Sequence, residues 1–185
     1  MNEDSDSTGV YSTSVKIPND RIGVVIGPEG SIKKIIESKS CSQLEIDGET
    51  GNVNIISSGD PIGGMRASEV VKAIGRGFSP EKALRLFDDD VLMLDVIDIS
   101  KVASTPKEMK RVKGRIIGKE GKSRSVIESL TGSKLSIYGK TVSVLGYPEQ
   151  IDMVRDALNM LIDGAPHGHV YAFLEKKRKN LREFG

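Results

Sequence analysis

The sequence predicts an α+β fold made of two tandem copies of one unit, each with the element order β-α-α-β-β-α. The first observation is an internal repeat, in which residues 25–30 (VIGPEG) recur 91 positions later as residues 116–121 (IIGKEG). The register then holds from residues 35–48 to residues 126–139, which is more agreement than chance produces. The second observation is the length of 185 residues, which fits two small domains better than one large domain. The third is the order of helix-like and strand-like segments within each copy.

Hydrophobic periodicity and the positions of Gly and Pro predict the elements of the second copy. Residues 105–108 (TPKE) combine a Thr cap, a Pro in the first turn and a Glu three residues after the cap, so they predict a helix that ends at Gly118. A second helix is expected from Gly121 to about Thr131, because Gly132 stops it. The other elements are a strand at 91–99, hairpin strands at 134–138 and 141–145, and an amphipathic helix from Pro148 to Gly164.

The first copy shows the same order of elements with small changes in length. Its elements are a strand at 14–17, a short helix that ends at Ile26, a helix after Gly30, strands near 43–47 and 53–57, and a helix from Asp60 towards Phe78. The predicted domain organisation is an acidic, disordered lead-in at 1–11, a first domain at 12–78, a connecting helix and linker at 79–90, a second domain at 91–165 and a basic C-terminal helix at 166–185.

The composition excludes several classes of protein. Hydrophobic residues make up 37% and charged residues 29%, which is ordinary for a soluble globular protein. No run of about 18 apolar residues occurs, so we expect no membrane span, and the acidic start does not have the features of a secretory signal. The single cysteine, Cys41, fits a reducing compartment and a cytoplasmic location. Because the net charge is only +1, any site for nucleic acid needs a local concentration of positive charge.

We expect neither catalysis nor a bound cofactor or metal. A phosphate-binding P-loop would require glycine five positions before Gly121, where Ile116 stands. A dinucleotide-binding motif would require glycine at the positions of Val25 and Ile116. No cluster of His, Cys or paired carboxylates has catalytic spacing. His167 and His169 have no Cys or carboxylate cluster beside them, so a turn before the last helix is the preferred interpretation.

Two glycines separated by two residues join a pair of helices in each copy, as Gly27-Pro28-Glu29-Gly30 and as Gly118-Lys119-Glu120-Gly121. Glycine permits unusual dihedral angles and close approach of another backbone, and the following helix offers free N–H groups and the positive end of its dipole. A phosphate backbone is therefore a natural occupant. The loop, in this order of elements and after an apolar pair, resembles the KH signature over roughly residues 12–165. The resemblance implies tandem type I KH domains, in which such a loop clamps about four nucleotides of single-stranded RNA.

The two loops differ in local charge. Residues 16–33 carry a net charge of +1, whereas residues 107–124 carry +6. Because phosphate affinity comes largely from Lys and Arg, the second domain is predicted to be the main RNA site. The residues predicted to form it are Gly118, Lys119, Glu120, Gly121, Lys122, Lys113, Arg115 and Arg124 at the RNA backbone, with Ile117, Val126 and strand residues 135–137 beside the bases. The weaker site predicted in the first domain consists of Gly27, Pro28, Glu29, Gly30, Lys33 and Lys34.

Other functions stay open at this point. KH-like folds also serve as protein-docking modules, so the chain could be a docking scaffold with weak RNA binding. A general mRNA-binding or exosome-associated KH protein is a further alternative, although that class usually adds an all-strand barrel that this sequence lacks. For the basic tail at residues 176–182, a solvated helix face and an auxiliary RNA or protein contact are equally acceptable interpretations.

Three segments resemble the archaeal branch of the partner-of-Nob family, whose eukaryotic relatives are small-subunit pre-ribosomal RNA processing factors. They are residues 22–27 (IGVVIG), 77–80 (GFSP) and 114–119 (GRIIGK). The resemblance implies binding near the 3′ end of small-subunit rRNA and a role in ribosome assembly or maturation. It also implies contact with the rRNA-trimming endonuclease or with the alpha subunit of archaeal initiation factor two. The first domain of eukaryotic relatives has lost its glycine signature, whereas Gly27 and Gly30 are both present here.

Overall fold

The computed structural model describes residues 9–184, and side chains up to residue 180. It contains two compact units, which meet in sequence between Asp90 and Val91. Residues 1–8 of the predicted acidic lead-in lie outside the described residues. Each unit is a three-stranded antiparallel sheet with helices, as the repeat predicts.

The first unit has the strand order β1-β3-β2. Its elements are β1 (Val10–Lys16), α1 (Asn19–Ile26), a single 3-10 turn (Pro28–Gly30), α2 (Ser31–Ser40), β2 (Ser42–Ile46), β3 (Asn52–Ser58), α3 (Pro61–Gly75) and α4 (Pro80–Asp88). The predicted order of elements is confirmed. The single 3-10 turn is the predicted glycine loop, and it lies between α1 and α2.

The second unit has the matching strand order β4-β6-β5. Its elements are β4 (Met93–Asp98), α5 (Pro106–Ile117), a single 3-10 turn (Lys119–Gly121), α6 (Lys122–Thr131), β5 (Lys134–Tyr138), β6 (Thr141–Gly146), α7 (Pro148–Ile162) and α8 (His167–Phe184). The start of α5 is a capping box, since the Thr105 side chain accepts from the Glu108 N–H and the Glu108 carboxylate accepts from the Thr105 N–H. The caps and glycine stops therefore place these boundaries close to their predicted positions.

Two boundaries in the first unit differ from the prediction. Strand β1 begins at Val10 rather than Ser14, so it includes the last two residues of the predicted lead-in. Val10 and Tyr11 pair with β3, but their side chains are 67% and 50% exposed, so they do not contribute to a buried periodic pattern. Helix α3 ends at Gly75, because Gly77 adopts a φ of 96° and turns Phe78 back into the core, where it is only 2% exposed.

The predicted connecting helix, α4, packs against α2 and α3 of the first unit. Ala83 and Leu86 are fully buried on its inner face. Arg66 on α3 donates to the Leu86 carbonyl at 2.8 Å and forms an ion pair with Asp90, so the end of α4 is tied to α3 by a charged side chain. This segment is thus a structural part of the first unit.

The C-terminal helix α8 is part of the hydrophobic core of the second unit. Val170 and Leu174 on α8 are fully buried and belong to the same cluster as Val112, Ile116 and Ile127. The helix packs against both α6 and α7. The sequence prediction treated residues 166–185 as a separate basic helix, whereas its inner face completes the packing of the unit that carries the basic loop.

Candidate nucleic-acid interface

The two glycine loops have nearly the same backbone conformation. The first glycine has φ/ψ of 72°/174° at Gly27 and 75°/176° at Gly118. The third residue of each loop is a glutamate in the left-handed region, with φ of 52° at Glu29 and 53° at Glu120. This conformation is uncommon for a residue with a Cβ. Because both copies adopt it, the loop geometry is a property of the repeat, and differences between the two loops lie in their side chains.

The two glycines of the loop in the second unit serve different purposes. A Cβ on Gly118 would lie 2.7 Å from the Cβ and the backbone nitrogen of Ser123, so this glycine allows α5 and α6 to approach closely. Gly121 also has a positive φ of 76°, but a Cβ there would meet no atom within 4 Å. Gly27 and Gly30 repeat this division in the first unit. The second glycine of each loop therefore faces open space, where another backbone can approach.

Helices α2 and α6 begin directly after these loops without a side-chain cap. The N-cap residues are Gly30 and Gly121, and neither has a side chain that could accept from the first N–H groups. The N-terminal N–H groups and the positive end of the helix dipole therefore point at the loop. This is an arrangement that favours an anionic group such as phosphate.

Partly exposed apolar side chains line the second unit beside its loop. Ile117 at the end of α5 and Val126 on α6 are half-buried, as is Ile137 on β5. Leu135, which the sequence analysis placed beside the bases, is instead fully buried in the core. Leu135 and Ile137 lie on the same face of β5, where Leu135 belongs to the core cluster and Ile137 is partly buried against it. Among the apolar residues predicted to lie beside the bases, Ile117, Val126 and Ile137 are thus the ones that are partly exposed.

The predicted basic residues near the second loop differ in their exposure and in their pairing with acidic residues. Lys119 and Lys122 are exposed and lie at the loop and the first residue of α6, while Lys113 is half-buried one turn before Ile117 on α5. Arg124 forms an i,i+4 ion pair with Glu128 at 3.6 Å, so part of its charge is offset. Lys119 and Lys122 are therefore the cations best placed to meet a phosphate.

The guanidinium of Arg115, which is predicted to contact the RNA backbone, forms hydrogen bonds within the second unit. Its Nε donates to the Leu161 carbonyl at 2.8 Å and a terminal nitrogen donates to the Ala165 carbonyl at 2.5 Å. Its own carbonyl oxygen lies 2.8 Å from the Nε2 of His167 at the start of α8. The guanidinium is thus engaged at the end of α7, because unpaired helix carbonyls favour a cation there.

Arg21 performs the same task in the first unit by donating to the carbonyls of Ile74 and Phe78, both at 2.8 Å. The repeat register aligns Arg115 with Val24 and not with Arg21, so the two arginines lie one helical turn apart on the same helix face. Sequence alignment of the copies therefore hides their common role.

The first loop lacks exposed positive charge between its glycines. Pro28 and Glu29 are exposed at the positions that Lys119 and Glu120 occupy in the second unit. Lys33 pairs with Glu37 at 3.8 Å, which repeats the Arg124–Glu128 pair, and Lys34 is exposed. The first loop has the same backbone as the second but a weaker electrostatic attraction for phosphate.

Metal-ligand clusters and membrane-spanning helices are both absent from the described part of the chain. Among residues 9–184, no group of three or more His, Cys, Asp or Glu side chains could hold a metal ion. Within the same range, no helix is both long enough and apolar enough to cross a membrane.

The fold, the repeated glycine loop and the uncapped helix that follows it define a protein of two type I KH domains. Residues 93–179 match the family described as "Eukaryotic type KH-domain (KH-domain type I)", in its PNO1 second-domain form, and residues 12–75 match the general KH domain. The chain belongs to the PNO1/Dim2 family of KH-domain proteins, as the resemblance in the sequence predicts.

Two relatives support this assignment. The KH domain-containing protein MJ0443 of Methanocaldococcus jannaschii is 47% identical over 171 residues, which cover 91% of this chain and 74% of that protein. The pre-rRNA-processing protein PNO1 of Chaetomium thermophilum is 34% identical over 118 residues, 63% of this chain and 46% of that protein. The chain therefore spans about half the length of this eukaryotic relative.

A solved structure provides the comparison at the level of the fold. The a/eIF2alpha-aDim2p-rRNA complex from Pyrococcus horikoshii contains a chain that is 42% identical to this one, with a TM-score of 0.86. The match covers 92% of this chain and 96% of that chain. The similarity thus extends over both KH domains.

Proposed function

We propose that this chain binds single-stranded RNA through the glycine loop of its second KH domain, as a non-catalytic factor in ribosome assembly. The single observation that carries the proposal is the pairing of the loop backbone with charge. Gly118 and Gly121 both have a positive φ, the loop is open at Gly121, and Lys119 and Lys122 are exposed beside it. Phosphate contacts from such lysines supply most of the affinity for an RNA backbone.

The RNA target that we propose is small-subunit rRNA near its 3′ end. Support comes from the family, since PNO1 of Chaetomium thermophilum is a pre-rRNA-processing protein and the similar Pyrococcus horikoshii chain occurs in a complex with rRNA. Ribosome assembly also agrees with the expected cytoplasmic location. The proposed contacts are Gly118, Lys119, Gly121 and Lys122 at phosphates, with Ile117, Val126 and Ile137 beside the bases.

The first domain has a secondary role in this proposal, because Pro28 and Glu29 replace the basic character of the second loop. It either extends the RNA path through Lys33 and Lys34 or docks a protein. The alpha subunit of archaeal initiation factor two is the proposed protein partner, since that subunit is present in the Pyrococcus horikoshii complex. Contact with the rRNA-trimming endonuclease remains a prediction from the family resemblance.

The second glycine of each loop, Gly30 or Gly121, offers a matched pair of variants for testing which domain binds RNA. Gly30→Asp and Gly121→Asp each add one negative charge at a site with a positive φ and no neighbouring atom within 4 Å. Asp tolerates this left-handed conformation better than most residues. We would measure equilibrium binding to a short RNA that matches the 3′ end of small-subunit rRNA, beside a scrambled RNA of the same length.

We expect Gly121→Asp to weaken binding of the matching RNA at least about tenfold, and Gly30→Asp to weaken it much less, because phosphate contacts dominate RNA affinity. Equal binding of both RNAs would favour a general mRNA-binding protein over a ribosome-assembly factor. A larger loss from Gly30→Asp would reverse the ranking of the two domains. If the wild-type chain bound neither RNA at low salt, the RNA proposal would fail and a docking scaffold would replace it.

A further inference from the structure

An open pocket of about 650 Å³ lies in the second unit, at the end of α5 that is far from the glycine loop. Its walls are the segment that links β4 to α5, the first turns of α5 and the Gly139–Lys140 turn between β5 and β6. Ala103, Pro106 and Met109 make its lining largely apolar. Lys110, Lys113 and Lys140 also line it. The pocket thus combines an apolar floor with three cations, and no acidic side chain lines it.

The pocket continues the surface that leads away from the glycine loop. Met109, Lys113 and Ile117 are spaced four residues apart on α5, so they form one stripe along the helix. Ile117 adjoins the loop at Gly118, Lys113 lies next, and Met109 is at the pocket. With a rise of about 1.5 Å per residue, the distance along α5 from Pro106 to the loop is about 18 Å. A strand of RNA that leaves the loop along this stripe therefore reaches the pocket.

The start of α5 does not itself attract an anion. Thr105 and Glu108 close its N-terminus as a capping box, so the N–H groups of these two residues are already paired and the Glu108 carboxylate lies there. Hydrogen bonds from the Thr105 N–H and the Ser104 hydroxyl hold the pKa of Glu108 below its usual value. Any attraction for phosphate in the pocket must come from Lys110, Lys113 and Lys140.

The first unit is built differently at the corresponding place. Its link between β1 and α1 has two residues, Ile17 and Pro18, whereas residues 99–105 separate β4 from α5. In the repeat register, Asn19 and the buried Ile22 take the positions of Lys110 and Lys113. The Asn19 side chain donates to the Glu49 carbonyl at 3.2 Å, which ties the β2–β3 turn to the start of α1. The longer link, the additional turn of α5 and the lysines are therefore specific to the second unit.

We propose that this pocket binds one further nucleotide of the RNA, beyond the stretch that the glycine loop clamps. Its base packs on Ala103, Pro106 and Met109, while Lys110 and Lys140 contact the adjoining phosphate. The proposal rests on RNA binding by the second domain. A nucleotide is favoured over an acidic peptide because Lys113 belongs both to the pocket and to the stripe that adjoins the loop.

The test uses the full chain and a set of short RNAs. One RNA contains only the four-nucleotide core, and others extend it by one or two nucleotides at the 5′ or the 3′ end. The pocket variant is Lys110→Gln with Lys140→Gln. The matched control is Lys107→Gln with Lys72→Gln, which removes the same charge from two exposed lysines that do not line the pocket.

We expect extension at one end to raise the affinity of the wild-type chain and of the control by at least about fivefold, as stacking and phosphate contacts add to binding. The pocket variant should bind the four-nucleotide core within about twofold of the control and lose most of the gain from extension. On the extended RNA, the slope of log K against log salt should be shallower for the pocket variant than for the control. The difference should be roughly 0.7 for each phosphate that the variant no longer neutralises.

Three results would overturn the proposal. They are no gain from extension at either end, the same gain in the pocket variant as in the control, and an equal loss by the pocket variant on core and extended RNAs. Failure of the proposed RNA function would look different, because the core RNA would then bind no more tightly to the wild-type chain than to Gly121→Asp. Tighter binding of an acidic peptide than of the extended RNA would assign the pocket to a protein partner.

Discussion

Glu128 on α6 accepts a hydrogen bond from the backbone N–H of Leu135 near the start of β5, with 2.7 Å between Oε1 and N. The same contact occurs in the first unit, where Glu37 accepts from the N–H of Leu44 at 2.8 Å. In both units the carboxylate also pairs with a basic residue one turn earlier on the helix. The duplication has thus kept a link between the helix that follows the glycine loop and the strand beside it.

This link predicts a loss of stability in Glu128→Ala. The N–H of Leu135 is partly buried, and leaving it without an acceptor should lower the free energy of unfolding by about 1–3 kcal/mol. Glu128→Gln should cost less, because its amide oxygen can still accept. Urea unfolding and hydrogen exchange at the Leu135 amide measure the effect. Glu175→Ala, at an exposed carboxylate, is the control, and equal stability of the two alanine variants would contradict the prediction.

The two glycines of each loop should differ in their tolerance of alanine. Gly121→Ala meets open space, so its cost is that of a left-handed residue, about 1–2 kcal/mol. Gly118→Ala also brings its Cβ against Ser123, so it should cost roughly 1–3 kcal/mol more. Thermal unfolding midpoints of the two variants provide the comparison. Gly27→Ala and Gly30→Ala should rank in the same order, and the reverse order in either unit would show that the loop packs differently.

Arg115→Lys should affect stability much more than RNA binding. An ammonium group keeps the charge but cannot reproduce the fork of donors that reaches the carbonyls of Leu161 and Ala165. We expect the free energy of unfolding to fall by about 1–3 kcal/mol. RNA affinity, measured well below the unfolding temperature, should change less than about twofold if its phosphate contacts are kept. A large loss of affinity with unchanged stability would restore Arg115 to the RNA site.

Glu120→Asn should strengthen RNA binding. Asn adopts the left-handed conformation of this position readily, and the substitution removes a negative charge beside the phosphates. The gain should be about 1 kcal/mol, or roughly fivefold, at low salt. It should shrink as salt is added, because exposed charges are screened. Glu29→Asn is the matched variant in the first loop, and an equal gain there would show that both loops contact RNA to the same extent.

The duplication, the order of elements and the two glycine loops were predictable from the sequence alone. Each of these rests on local chemistry. The positive φ angles at Gly118 and Gly121 and the capping box at Thr105 and Glu108 involve residues that are close in the chain. The difference in charge between the two loops was also predictable, since basic residues could be counted on either side of each glycine pair.

Only the tertiary structure decided how individual side chains are used. The guanidinium of Arg115 reaches carbonyls 46 and 50 residues away, so no local pattern separates it from Lys119 as an RNA contact. Leu135 lies in the core and Val170 brings α8 into it, because burial depends on which distant segments pack together. The pocket at Lys110 and Lys140 likewise forms where a link, a helix and a turn meet. Local sequence determines conformation, whereas the availability of a group for a ligand depends on long-range packing.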